Sequence, residues 1–282
     1  MKLKKILNNI EYELIKGSLD TNVTDLCYDS RKVKEGSAFI CLSGIQSDGH
    51  DFIESAIEKG ATSIFIEKDI EVSQPVTVIK LSNTRKDLSL LSINYFDNPA
   101  SKLTMIGITG TKGKTTTSWM IKNILEEEGK KVGVIGTMGI FIGNNHYETI
   151  NTTPESYEIQ KYLIEMANQN IEYDIMEVSS QALKVGRVEG MTFDYGIFTN
   201  LTKDHIGEGE HENMEDYIYS KSLLFQKSKH GILNIDDKHY QDMTKNNTCD
   251  IHTFGKNKEA DLIINNIKLL RKEHFIGLEL HT

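Results

Sequence analysis

Ile108-Thr109-Gly110-Thr111-Lys112-Gly113-Lys114-Thr115-Thr116-Thr117 is the stretch that decides how this chain is read. The apolar run Leu103 to Ile108 before it predicts a buried strand. Thr115 to about Glu127 after it predicts an amphipathic helix with Trp119, Met120, Ile124 and Leu125 on its apolar side. A glycine-bearing turn between strand and helix leaves backbone N–H groups free at the helix start, where the dipole favours anions. In such a cradle Gly110, Thr111, Lys112, Gly113, Lys114, Thr115 and Thr116 surround the phosphates of a nucleotide. Lys114 reaches the terminal phosphates and the Thr115 hydroxyl ligates Mg²⁺. The generic phosphate-loop spacing puts a glycine five residues before Gly113; here that position is Ile108, flanked by Gly107 and Gly110. A turn that merely joins strand to helix is the alternative reading.

Composition narrows the class. At 282 residues the chain is long enough for two domains. Its net charge of −9 argues against non-specific nucleic-acid binding, which neutralises phosphates with Lys and Arg. Cys27, Cys41 and Cys249 form neither a metal pattern nor a disulfide framework and read as thiols in a reducing compartment. Asn8, Asn9 and Glu11 interrupt any signal-peptide core after the basic start, and no later segment is long enough to span a membrane. A cytoplasmic protein with no nucleic-acid or membrane partner is expected, and a monomer.

The fold class expected is α/β: a small N-terminal α/β domain over residues 1–98, then a mainly parallel-sheet ATPase domain containing the phosphate loop over 99–282. In the first part, Ser37 to Leu42, Ser63 to Ile66 and Val76 to Ile79 read as strands. Asp51 to Lys59 and Thr84 to Tyr95 read as helices, and Asn98-Pro99 as the break. In the second part, Lys131 to Ile135, Tyr173 to Val178, Phe193 to Phe198 and Gly231 to Ile235 read as strands. A helix starts at Thr153-Pro154-Glu155, with Thr153 as its N-cap and Ile159, Tyr162, Leu163, Met166 and Ala167 on one face. Residues 251–282 alternate like short strands and stop within the pattern without a turn, as a fragment would.

Ligands of open parallel sheets bind beyond the carboxyl ends of the strands. Three polar clusters fall at such ends: Glu177-Val178-Ser179-Ser180, Thr199-Asn200 with Asp204-His205, and Asn234-Ile235-Asp236-Asp237. Glu177 stands inside an apolar run, where a divalent cation would compensate a buried carboxylate; an arginine partner or capping of the next helix is the alternative. Taken in isolation, His205 reads first as an ordinary surface histidine of a loop and second as a metal ligand. Lys221, in an apolar helical stretch, reads as a lysine snorkelling from a helix face. Asp29-Ser30-Arg31 reads as a phosphate or sugar contact, or as a turn.

Taken in order, these texts resemble the Mur ligases, and among them the UDP-N-acetylmuramoyl-tripeptide synthetase branch. The resemblance is carried by Tyr28-Asp29-Ser30-Arg31, Ser47-Asp48-Gly49-His50, Gly107 through Thr116, Asn151-Thr152-Thr153-Pro154, Met176 through Ser180, Phe198 through Leu201 with Asp204-His205, and Lys221 before Leu224-Phe225. The phosphate-loop text is shared across the superfamily, which also explains its departure from the generic spacing. Asp-Ser-Arg, Asn-Thr-Thr-Pro and Glu-Val-Ser-Ser point to the narrower branch.

The resemblance implies an ATP- and Mg²⁺-dependent amide ligase of peptidoglycan precursor synthesis. It would add an amino acid, diaminopimelate or lysine, to UDP-MurNAc-L-Ala-D-Glu through an acyl phosphate. By the same resemblance Ser30, Gln46 and Ser47 would bind the uridine diphosphate end of that substrate. Asn151, Thr152, Thr153, Ser179 and Arg187 would hold the muramoyl-dipeptide. Thr115 and Glu177 would share one metal, and His205 and Lys221 a second, Lys221 as a carbamate. Lys114, Lys221 and His205 would be catalytic.

Two features depart from the family. The segment Ile206 to Glu212 is longer than usual, and the third domain that closes over ATP and binds the amino acid has no counterpart in these residues. The chain alone is therefore expected to bind nucleotide but not to ligate. Another Mur-type amide ligase, or a non-catalytic nucleotide-binding fragment, are the other readings.

Overall fold

Alternation of β-branched runs with amphipathic segments builds one main sheet in each of two compact units. The computed structural model describes residues 1–44, 47–204, 206–207, 211–245, 247–272 and 275–281. The first unit comprises residues 1–102 together with 154–169 and 185–191; the second comprises 103–153, 170–184 and 192–282. A single contiguous cut at residue 98 was the expectation; the first unit instead draws in two later segments.

In the first unit, α1 (Leu3–Ile6), β1 (Glu13–Lys16), β2 (Leu26–Cys27), β3 (Ala38–Ile40), α2 (Ile53–Glu58), β4 (Ser63–Ile66), β5 (Thr77–Lys80) and α3 (Thr84–Tyr95) follow in order. The sheet runs β1-β5-β4-β3-β2, parallel except for the β1–β5 pair. One face buries Ile40, Phe65 and Ile79 against Leu88 and Leu91 of α3; the other buries Phe39, Ile64 and Val78 against Ile53 and Ala56 of α2. The period-2 alternation of the strands dictates that division. Asn83 caps α3 by accepting from the Lys86 amide at 2.8 Å.

The second unit holds β6 (Thr104–Thr109), α4 (Lys114–Glu127), β7 (Val132–Gly136), and the antiparallel hairpin β8 (Gly139–Ile142) and β9 (Asn145–Tyr147). The next helix, α5 (Ser156–Asn168), belongs to the first unit, where its Tyr157 hydroxyl donates to Asp25 at 2.7 Å. Then come β10 (Tyr173–Glu177), α6 (Ser180–Lys184), β11 (Phe193–Phe198), α7 (Met214–Gln226), β12 (Ser228–Asn234), α8 (Tyr240–Thr244), β13 (Asp250–Gly255) and β14 (Leu262–Ile263). The antiparallel ribbon β15 (Asn266–Lys272) and β16 (Phe275–His281) ends the chain. The large sheet runs β14-β13-β12-β11-β6-β10-β7-β8-β9 and is parallel up to β7, as expected from the strand–helix alternation. Because β6 lies between β10 and β11, the loops that leave these three strands emerge side by side. That is the switch point of an open parallel sheet.

Two local expectations are corrected. Met120 and Ile124 are 54% and 65% exposed, not on the buried side of α4. Its inner face is Ser118, Ile121 and Leu125, which pack toward Ile106, Val134 and Ile175; Met120 and Ile124 stand about 100° off that stripe. Thr153 does not cap α5, which begins at Ser156. Its hydroxyl is committed instead, donating to the Glu177 carbonyl at 2.8 Å and accepting from the Ser179 amide at 2.9 Å.

Asp174 sits mid-strand in β10 with neither carboxylate oxygen hydrogen-bonded among the described residues. Burial pushes its pKa well above the usual carboxylate range, so the neutral acid is the folded form. A raised folded pKa means the native state binds the extra proton, so stability falls as pH rises from about 4 through the raised value. Asp174→Asn is expected to flatten the decline of melting temperature between pH 5 and 8, a shift equivalent to about 1–3 kcal/mol. Parallel parent and variant profiles would contradict this.

Candidate functional site

The loop from β6 into α4 is built around two backbone positions that only glycine fills comfortably. Gly110 has φ +151°, and a Cβ there would lie 2.0 Å from Thr199 Oγ1; Gly113 has φ +86° at the N-cap of α4. Ile108, where the generic pattern wants glycine, is fully buried within β6, so the cradle begins only at Gly110. The start of α4, with Gly113 as its cap, has no side-chain capping bond.

The polar end of β11 holds this loop in shape. Thr111 N donates to Asn200 O (2.8 Å), Lys112 N to Asn200 Oδ1 (3.0 Å), and Thr199 Oγ1 and Asn200 Nδ2 donate to Lys112 O. The Thr111 hydroxyl meets Tyr217 Oη at 3.1 Å, and Lys112 pairs with Asp204 at 3.0 Å. Asn234 and Asp237, from the third polar cluster, brace the β11 end in turn: Asn234 Nδ2 donates to Thr199 O, and Asp237 accepts from Leu201 N. That cluster is structural support.

Lys114 curls back over the loop, Nζ donating to Gly110 O (2.8 Å) and Thr111 O (3.3 Å). Burial lowers its pKa, opposed chiefly by the nearby Glu177 carboxylate. Glu177 is 1% exposed at the end of β10 and has neither an arginine partner nor a capping role among the described residues. Its carboxylate accepts from Thr115 Oγ1 (2.9 Å), Thr137 Oγ1 (3.0 Å) and Thr137 N (3.2 Å). A Cβ at Gly136 would fall 2.3 Å from Glu177 Oε1, so a glycine there makes room for the carboxylate. Thr137, which accepts from or donates to Thr152 Oγ1 at 3.0 Å, was not singled out from sequence. Its signal was only the Gly-Thr pair closing β7.

Lys221 overturns the snorkelling reading. It is 2% exposed on α7, its Nζ donates to Gly110 O at 3.0 Å, and it lies 4.5 Å over the Tyr217 ring. Burial, aided by the Lys114 charge, pushes its pKa down to about 7. Lys114 and Lys221 therefore share one acceptor, the carbonyl of Gly110. His205 lies outside the described residues, as does Gln46. Among the described residues no three His, Cys, Asp or Glu side chains converge as a metal cluster. The Thr115–Glu177 pair offers hard oxygens of the kind Mg²⁺ takes together with waters and phosphates.

Of the remaining residues singled out from sequence, Thr116 and Asn151 are exposed. Ser179 Oγ accepts from Ala182 N at 3.1 Å and so caps α6. In the first unit, Ser30 and Ser47 line a cleft of about 520 Å³ with Tyr28, Arg31, Phe52, Arg85 and Glu155. Asp29-Ser30-Arg31 is both a turn and a wall of this cleft: Asp29 caps a 3₁₀ turn through the Arg31 amide and pairs with the Arg31 guanidinium. Arg187 belongs to the first unit, where it binds Glu155 Oε1 at 2.9 Å, an oxygen also bound by Arg85.

The loop Ser43 to Gly49, of which residues 45–46 lie outside the described set, is anchored by buried His50. His50 Nε2 accepts from Glu67 N (3.0 Å) and Nδ1 meets Asp48 (2.5 Å). Lys68 pairs with Asp48 and holds that carboxyl well below its usual range.

Comparison with known proteins divides the chain in sequence, between residues 93 and 108. The Mur ligase middle domain model matches residues 108–280, and the model for the Mur ligase family, catalytic domain, matches residues 22–93. A UDP-N-acetylmuramoyl-L-alanyl-D-glutamate–2,6-diaminopimelate ligase of Clostridium acetobutylicum is 46% identical over 269 residues, covering 95% of this chain and 55% of that protein. The ligase of the same name from Clostridium perfringens is 44% identical, covering 93% of this chain and 54% of that protein. A solved structure of a UDP-N-acetylmuramoyl-L-alanyl-D-glutamate–2,6-diaminopimelate ligase superposes with TM-score 0.82 at 26% identity, over 99% of this chain and 59% of that one. The chain spans about half the length of the curated relatives it matches.

Proposed function

Since the chain belongs to the Mur ligase family, we propose that it supplies the nucleotide- and precursor-binding parts of a cytoplasmic, ATP-dependent ligase that joins 2,6-diaminopimelate to UDP-MurNAc-L-Ala-D-Glu. The single observation that carries this is the convergence of Lys114, Thr115, Glu177 and Lys221 at the switch point of one parallel sheet. The relatives' names favour diaminopimelate over lysine as the added amino acid.

In this reading the amides of Gly110 to Thr116 and Lys114 take the triphosphate. Thr115 Oγ1 and Glu177 hold Mg²⁺, with Thr137 fixing the carboxylate. The bound metal would neutralise charge on the transferring phosphoryl oxygens. The D-glutamate carboxylate attacks the γ-phosphorus, giving ADP and an acyl phosphate; the incoming amine then displaces phosphate. A carboxylate is a poor electrophile, and phosphorylation supplies its leaving group.

Asn151, Thr152 and Ser179 take the precursor's dipeptide side, and buried Thr153 braces Ser179 through its amide. Ser30, Ser47 and Gln46 take the uridine diphosphate end. Lys221 with a pKa near 7 is neutral often enough to add CO₂, releasing a proton and leaving an anionic carbamate that would serve a second Mg²⁺ with His205.

The test is ATP–ADP exchange and phosphate release by the full gene product, which should require UDP-MurNAc-L-Ala-D-Glu. Turnover without that precursor, or with a different glutamate-bearing acceptor, would favour another Mur-type ligase. Glu177→Gln is expected to abolish the Mg²⁺-dependent part of AMPPNP binding to this chain, about a 10- to 100-fold change in titrations with and without the metal. A retained Mg²⁺ dependence would contradict the assignment of Glu177.

A further inference from the structure

Beside the site just described, His211 joins the starts of α6 and α7. It is buried, with Nδ1 3.1 Å from Asp216 Oδ2 and Nε2 2.8 Å from Ser180 Oγ. A carboxylate only accepts, so Nδ1 carries the proton and Nε2 accepts the Ser180 hydroxyl. Asp216 also accepts from Lys184 Nζ (2.6 Å) and from the Glu212 amide (3.1 Å). The order serine, histidine, carboxylate is that of a nucleophile relay, but Ser180 is 5% exposed at the first turn of a helix, which closes it to an acyl substrate.

The Gly207 amide donates to the His211 carbonyl at 3.1 Å. Asp204, just past β11, pairs with Lys112 of the phosphate loop. Ser180 follows Ser179, whose amide Thr153 holds, and α7 carries Lys221.

We propose that His211 is a positioning residue: it locks the start of α7 onto Ser180, so that Ser179 and Lys221 keep one geometry about the phosphate cradle when Mg²⁺·nucleotide binds. This rests on the nucleotide site proposed above. Asparagine at 211 places its amide near Nδ1 and keeps the Asp216 half; glutamine reaches the Nε2 position and keeps the Ser180 half.

The experiment is calorimetric titration of this chain with Mg²⁺·ADP, alongside melting temperatures, for the parent, Ser180→Ala, His211→Asn, His211→Gln and the Ser180→Ala/His211→Asn pair. Ser180→Ala and His211→Asn are expected to weaken Mg²⁺·ADP about 10-fold each, as loss of an outer-shell partner does. Their combination should be no weaker than either alone, because both break one relay. Glutamine should recover part of the affinity that asparagine loses. A purely structural histidine would lower melting temperatures while leaving affinity within about twofold of the parent, and that result, or additive losses, would overturn the proposal. A parent chain that binds no Mg²⁺·ADP would instead overturn the nucleotide site on which it rests.

Discussion

Lys114→Ala is expected to weaken binding of Mg²⁺·ATP to this chain by about 100-fold or more, with little change in melting temperature. Lys114 is half-buried, and its ammonium is held over the phosphate loop by the carbonyls of Gly110 and Thr111. Hydrogen bonds to charged groups contribute about 1.5–3 kcal/mol each, so losing one or two to phosphate oxygens gives a loss of this size. Stability should hold because the same side chain is a partly desolvated cation whose removal relieves its burial. Thr116, exposed in the first turn of α4, provides the control: Thr116→Ala keeps the backbone amide and should change affinity only a few-fold. A fluorescent-nucleotide titration in which Lys114→Ala and Thr116→Ala behave alike would remove Lys114 from the phosphate site.

Lys221 gives the second large effect, and it has a sign in pH. Its folded pKa is pushed down to about 7 from an ordinary value near 10.5. Between those two values the unfolded chain holds the proton and the folded chain does not, so folding stability rises with pH from about 7 to about 10. Below pH 7 a buried ammonium stands beside Lys114 and over Tyr217, donating to the Gly110 carbonyl. Lys221→Met is expected to flatten that rise and to stabilise the ligand-free chain at pH 6 by several kcal/mol. Unfolding curves of the two proteins from pH 6 to 10 check this, and superposable pH profiles would contradict it.

The same neutral amine is what carbamylation requires. Labelled bicarbonate should give a carbamate carbon signal in the parent chain that Lys221→Ala lacks. In the full gene product, Lys221→Ala should lose ligase turnover about 1,000-fold and regain part of it with added acetate, which replaces the missing anion. An activity loss that no small carboxylic acid restores would argue for a plain ammonium at this position.

The strand-to-helix glycine loop, the parallel sheet and the polar strand ends were legible because each is a local pattern: glycines at a turn, period-2 apolar runs, polar residues just past strand ends. What stayed hidden depended on neighbours distant in sequence. Nothing in Tyr217 to Phe225 indicates that Lys221 points inward, because its acceptor, Gly110, lies 111 residues away. Thr153 matched an N-cap, but a hydroxyl bonds one set of partners, and Glu177 and Ser179 took it. Met120 and Ile124 were assigned inward by residue type, whereas the stripe that packs begins at the small Ser118. Thr137 bonds Glu177, and His211 bonds Ser180 and Asp216; only the folded chain brings those together. The hairpin β8–β9 was missed because its strands are short, four and three residues.

A crystal structure of this chain with Mg²⁺ and AMPPNP would test the common rim most directly. The expected result is triphosphate oxygens on the amides of Gly110 to Thr116, Lys114 on the terminal phosphates, and Mg²⁺ at about 2.1 Å from Thr115 Oγ1 with Glu177 beside it. A nucleotide bound away from the carboxyl ends of β6, β10 and β11, with Thr115 and Glu177 contacting no metal, would contradict it.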